Sequence, residues 1–159
     1  MNGPSYDLLV VLHVLSAVVG FGAVGATGTY AARLRGARDP LAEPSLRRYF
    51  HPGTNWAERS LLATPVFGAA LLFGGDRSAL SQPWPWIGLG SWSVAAVVAV
   101  VLCWPAEKAL QNWFVSAANR AASPAVETLR DECRKVQAAA LFISVCFVVA
   151  VVVMIWQPT

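Results

Sequence analysis

LLVVLHVLSAVVGFGAVGATGTYAA, residues 8–32, runs without a charged side chain and meets Arg33 at its end. As a helix rising 1.5 Å per residue it is about 37 Å long, enough to cross a hydrocarbon core of ~30 Å. Three further stretches read the same way: residues 57–75, 87–104 and 136–156. What lies between them sets the orientation. The first connection and its edges carry Arg33, Arg35, Arg38, Arg47, Arg48 and Arg59, and the third carries Lys108, Arg120, Arg130, Arg134 and Lys135. The second holds only Arg77. Basic connections stay in the cytoplasm. The chain therefore reads as all-α: a polytopic four-helix membrane bundle with both termini outside.

Composition agrees. Charged residues are 13% of the 159, against about a quarter in a soluble domain, and hydrophobic residues are 56%. The spans use most of the length, so the chain is one transmembrane domain without a separate soluble one. The net charge of +3 follows the membrane topology and implies contact with anionic inner-leaflet lipid, not nucleic acid. The expected location is a bacterial inner (plasma) membrane. The first span is too long for a signal peptide, and its flank holds Asp7 but no Lys or Arg. The three cysteines, Cys103, Cys133 and Cys146, form no C-x-x-C pair and fall in reducing or apolar surroundings, so no disulfide is expected.

The first helix should start at Ser5 as N-cap, with Asp7 against the helix dipole. Ser16, Gly20, Gly22, Ala26 and Gly28 are small residues at spacings that let membrane helices approach closely, so this helix should sit centrally, with Gly20 and Gly22 at contacts. A short interfacial helix is expected near residues 45–50, aromatics towards lipid and arginines towards phosphate. Asn55 can cap the second spanning helix, with Glu58 as its capping-box partner. Pro65 should kink that helix, and Gly74-Gly75 should end it. The third helix should continue past Trp104 and Pro105 to about Ala122. Ser123-Pro124 reads as the start of the fourth, so the third and fourth helices extend into the cytoplasm. Glu127 with Arg130, and Asp131 with Arg134 and Lys135, are spaced for pairing. Trp84, Trp86 and Trp156 form an outer aromatic belt, Trp56 and Trp104 an inner one.

His13 is the leading candidate for chemistry. An imidazole within a span needs a partner. It serves either as a hydrogen bond to a neighbouring helix, as a haem or copper ligand, or as a proton acceptor. Met154, near the outer end of the fourth span, is the best-placed second ligand, since His/Met ligation occurs in cytochromes. His51 is on the cytoplasmic side, too far away in depth to share a metal with His13. Three ligands at zinc spacing are absent, so no structural metal site is expected. Glu58-Arg59 and Glu107-Lys108 lie near the cytoplasmic boundary. They read as helix-end charges that snorkel or pair, or, with Arg47, Arg48 and His51, as an inner vestibule for an anion or lipid headgroup. Arg47, Arg48, His51 and Arg59 are the expected lipid or anion contacts. No catalytic residue is assigned: G-x-S-x-G, P-loop, H-E-x-x-H and paired midplane carboxylates are all missing.

Leu12-His13-Val14-Leu15-Ser16-Ala17 with Gly20-Phe21-Gly22 resembles the opening helix of a bacterial family of predicted integral membrane proteins of unknown function. Arg47-Arg48-Tyr49-Phe50 through Asn55-Trp56-Ala57 fits the same pattern, so the resemblance covers about the first half of the chain. More distantly, the first helix resembles those of copper-resistance-D-like and protoporphyrinogen-oxidase-like membrane proteins. In the oxidase-like proteins a first-helix histidine ligates haem, which by resemblance falls on His13. The reading is a membrane protein without catalytic apparatus, an accessory or partner-binding subunit. The alternatives are a redox protein binding haem b or copper through His13, and a subunit of an oligomeric transporter. The expected associations are the bilayer, and a homo-oligomer or larger membrane complex.

Overall fold

The computed structural model describes residues 3–75, 77–119 and 126–157, and every regular element among them is helical. The α-helices are α1 (Pro4–Gly36), α2 (Pro44–Tyr49), α3 (Trp56–Arg59), α4 (Thr64–Gly74), α5 (Pro83–Val98), α6 (Trp104–Ala118) and α7 (Val126–Trp156). Three helical stretches are long and apolar enough to cross a membrane: α1, the continuous run Pro83–Ala118, and α7. Less than a third of each apolar window is buried within the chain. Much of the rest is half-buried or exposed.

The sequence and the structure part at the two prolines that interrupt apolar runs. In residues 57–75, the expected kinked helix is three pieces: α3, a 3-10 turn at Ser60–Ala63, and the 11-residue α4 with Pro65 in its first turn. Proline has no N–H for the carbonyl four residues back and its ring crowds that carbonyl. The chain tightens before Pro65 and starts a new α-helix. At Pro105 it widens instead. Ala99–Cys103 form a π turn, in which the Trp104 N–H bonds the Ala99 carbonyl, and the helix continues into α6.

Other local expectations hold in part. α1 starts at Pro4, so Ser5 lies inside its first turn and is not the N-cap; proline suits the first helical position. The expected short helix is α2, but its aromatics do not face lipid: Tyr49 stacks on Tyr30 and Phe50, just past its end, is buried against Phe114. Asn55 caps α3 by accepting from the Glu58 N–H, and Gly75 caps α4. Arg134 pairs with Asp131 at 3.4 Å, but Lys135 pairs with Glu132 at 2.6 Å rather than with Asp131. Both pairs have i,i+3 spacing. Arg120 and Ser123-Pro124 lie outside the described residues.

The chain divides into two compact units, each with its own interior. Unit 1 comprises Met1–Val24, Asn55–Ala96 and Ile143–Thr159. Its interior includes Phe21, Leu61, Ala95, Ala96 and Ile143, and Phe21 stacks on Phe147 at 4.5 Å. A Cβ on Gly20 would lie 2.5 Å from the Leu61 backbone nitrogen, so only glycine lets α1 meet the 3-10 turn this closely. Gly22 does not share that role: among the described residues nothing lies within 4 Å of its would-be Cβ. The two positions are two residues apart and face different sides of α1.

Unit 2 comprises Gly25–Thr54 and Val97–Phe142. Leu34, Leu46, Phe50, Cys103, Leu110, Cys133 and Val136 are fully or almost fully buried. A ladder of rings ties its elements together. Tyr30 stacks on Tyr49 at 3.9 Å, Tyr49 meets Phe50 edge-on, and Phe50 stacks on Phe114 at 6.1 Å. Gly28 passes so close to Ala140 that a Cβ there would lie 2.6 Å from the alanine methyl.

Candidate functional site

In unit 1 the polar side chains of α1 converge on the start of α4. His13 Nδ1 lies 2.9 Å from the Thr64 carbonyl oxygen. A carbonyl only accepts, so Nδ1 carries the proton and donates, which leaves the lone pair of the neutral ring on Nε2. Gly68 makes room for the ring: a Cβ there would stand 3.0 Å from His13 Cε1. One turn on, Ser16 donates to the His13 carbonyl at 2.9 Å and reaches the Thr64 hydroxyl at 3.3 Å. The Ser60 hydroxyl bonds the Ala57 carbonyl at 2.7 Å and the Ser16 carbonyl at 3.3 Å.

Pro65 explains a further bond. It cannot donate to the Leu61 carbonyl, four residues back. That oxygen accepts from Trp92 Nε1 on α5 at 3.0 Å. Ser91 donates to the Cys146 carbonyl of α7 at 2.8 Å. Unit 1 is thus fastened by side chains bonding the backbone of neighbouring helices, each bond worth about 0.6–2 kcal/mol in a membrane setting. Thr64 is the residue that sequence reasoning missed. No side-chain signal marks it, because His13 bonds its main-chain carbonyl.

Met154, the other ligand candidate, packs on α5: a Cβ on Gly88 would lie 3.2 Å from its methyl. The described contacts of His13 and Met154 are therefore with different helices. No group of three or more His, Cys, Asp or Glu side chains able to hold a metal occurs among the described residues. What His13 offers is a single nitrogen lone pair, on Nε2, rather than a closed protein cage.

In unit 2 a cleft of about 380 Å³ opens beside α2 and the end of α6. Arg47 and His51 contribute to its wall, and Phe50, Phe114 and Val115 give it an apolar lining. Two of the four expected lipid or anion contacts thus meet in one place. Arg48 is exposed on α2 outside that lining, and Arg59 belongs to α3 in unit 1. Beside the cleft, the Gln111 side chain accepts from the Gly53 N–H and donates to Glu107, both at 3.4 Å. The Thr27 and Tyr49 hydroxyls bond each other.

Glu58 is 0% exposed and Glu107 4%, so neither is the snorkelling helix-end charge that its position suggested. Cys133 precedes the apolar run of α7. Burial pushes its thiol up to about 11, against the pull of Arg35 and with a smaller push from Glu132, which makes it a poor nucleophile.

No curated protein and no solved structure matches the chain. One family model does, over residues 7–158, and its description is that of a predicted integral membrane protein. The match extends the resemblance read from the first helix to nearly the whole length, and does not reach the copper-resistance-D-like or oxidase-like proteins. Three apolar helices long enough to cross a bilayer and a family model covering almost every residue lead to one conclusion: the chain belongs to the predicted integral membrane protein family DUF2269.

Proposed function

We propose that this protein is an accessory subunit of the plasma membrane that works by binding a partner helix within the bilayer, without chemistry of its own. One observation carries the reading. α1 leaves part of its small-residue surface uncovered. Gly28 is spent on Ala140 within unit 2, but Gly25, Thr29 and Ala32, next to it around the same helix, form a small-residue strip facing away. Thr29 and Ala32 are exposed, and nothing among the described residues lies within 4 Å of a Cβ at Gly25. Thr29 turns its hydroxyl back to the Gly25 carbonyl at 3.0 Å, which leaves its methyl outward. A small-residue face of this kind suits close approach by another membrane helix better than it suits lipid tails.

The topology proposed with it has four crossings and both termini outside. Trp56–Gly74 is helical almost throughout and, at helical rise, spans about 28 Å despite its interruption. The basic residues of the first and third connections set its orientation. A photo-crosslinking residue at position 29, activated in native membranes, tests the binding reading. A discrete adduct one protein larger than the monomer supports it, and the adduct's mass tells a second copy from another subunit. Adducts to lipid alone overturn it.

A second reading rests on the His13 tautomer. A histidine whose Nδ1–H is fixed by a backbone carbonyl presents Nε2 as a ligand, the usual arrangement for metal and haem histidines. When bound, haem b or copper would supply electron transfer. This chain's part would be to orient the ring through Thr64 and Gly68. The absorption spectrum of the purified protein decides: a Soret or copper band that vanishes in His13→Gln favours it, and a colourless protein favours the accessory reading.

A further inference from the structure

We propose that the cleft of unit 2 is a binding site for a single anionic phospholipid, with its phosphate between Arg47 and His51 and the start of an acyl chain against Phe114 and Val115. Three observations carry this.

The first is the chemistry of the wall. Arg47 on α2 and His51, two residues past its end, both line the cleft. Both can donate hydrogen bonds to a phosphate, and the guanidinium can do so in two parallel bonds. The remaining lining is apolar, with Leu41 and Pro52 beside the two phenylalanines and Val115. A polar anion alone would leave that lining unused, and an uncharged lipid would leave the arginine unused.

The second is the position. Tyr49 stacks on Tyr30 of α1, one turn before Arg33 closes the apolar run. The Tyr49 hydroxyl reaches still further back, to Thr27. The segment that carries Arg47 and His51 is thereby held at the level where α1 passes from apolar to basic, the depth at which bilayer phosphates lie.

The third is rigidity. Phe50, 0% exposed, lies between the two basic residues in sequence and stacks on Phe114, with the ring planes within 10° of parallel. Gln111 holds the Gly53 N–H just beyond. The basic pair flanks a fixed aromatic anchor, so the backbone that carries it is already ordered and only the side chains are left to order on binding.

The test is displacement of a fluorescent phosphatidylglycerol from the full-length protein in detergent, with unlabelled phosphatidylglycerol, phosphatidylcholine and inorganic phosphate as competitors. Phosphatidylglycerol should compete in a saturable way, and the other two only at much higher concentration. Arg47→Gln, an exposed substitution, should weaken binding about fivefold, the scale of one basic side chain acting on anionic lipid. Val115→Trp should fill the cleft and abolish saturable binding while leaving the helical circular dichroism unchanged. Equal competition by phosphatidylcholine would show a site indifferent to charge, and equal competition by inorganic phosphate would show one indifferent to the chain; either overturns the proposal. So does an Arg47→Gln protein that binds like the parent.

Discussion

Pro65 and Pro105 make the same break in two regions and are absorbed in opposite ways. Before Pro65, in unit 1, the backbone tightens into a 3-10 turn. Before Pro105, in unit 2, it loosens into a π turn. The tight turn ends one helix and begins another, and its carbonyl at Leu61 is taken by Trp92. The loose turn keeps one helix going for 36 residues, Pro83–Ala118. The surroundings follow suit. Unit 1 closes on its turn with Gly20, Ser16 and His13, so that backbone meets backbone. Unit 2 packs by aromatic faces and keeps a cleft beside them. A proline in a membrane helix therefore does not fix an outcome. In unit 1 the break is met by Gly20 of the neighbouring helix; in unit 2 the helix runs on through it.

That contrast can be broken most severely in unit 2. Phe50→Ala removes the ring that joins Tyr49 to Phe114, and should cost about 3–5 kcal/mol, the range for a buried phenylalanine. The loss should appear as a lowered midpoint of thermal unfolding in detergent. A shift of a degree or less would show that the ladder does not hold α2. Gly20→Leu attacks unit 1. Its side chain would have to displace the Leu61 backbone, and about 3 kcal/mol is expected, the upper end for overpacking. Gly22→Leu two residues along is the control and should melt like the parent, because its Cβ meets only open space. Equal destabilisation by both would remove the distinction between the two faces of α1.

His13→Gln should have a smaller effect, about 1 kcal/mol, since an amide can still donate to the Thr64 carbonyl and interhelical bonds in membranes are modest. A much larger loss would mean that the imidazole does more than join helices. The smallest effect concerns Cys133. Its raised thiol pKa keeps it protonated at neutral pH, so maleimide labelling of the folded protein should be slow at pH 7 and quicken only as pH rises towards about 11. Fast labelling at pH 7 would place the thiol outside the interior of unit 2.

The long elements were legible because apolar runs and basic connections record the bilayer directly. Residues 8–32 and 136–156 fall within α1 and α7, and the prolongation past Trp104 is seen in α6. Asn55 and the helix near residues 45–50 were legible from capping and amphipathic chemistry. The pairing of His13 with Thr64 was not. A histidine in a span announces that it needs a partner, but a main-chain acceptor has no side-chain signature. The cleft was half legible. Arg47 and His51 stood out as basic, whereas Phe114 and Val115 read only as part of the third helix's continuation past Trp104. Only the stacking of Phe50 on Phe114 brings them to the same wall. Glu58 and Glu107 read as helix-end charges that snorkel or pair, or as vestibule residues, and their depth was not legible because burial of an acid depends on three-dimensional neighbours that local sequence does not encode.

The bond from His13 to Thr64 joins residues 51 positions apart. A ribosome adding ~5–20 residues per second needs about 3–10 seconds to cover that distance. Throughout that interval α1 can already be in the bilayer while the acceptor for its imidazole does not yet exist. The nascent first helix therefore carries an unmet polar group that only the arrival of α4 resolves. A chain stalled before Thr64 leaves the His13 Nδ1–H without this acceptor, and the finished chain supplies it.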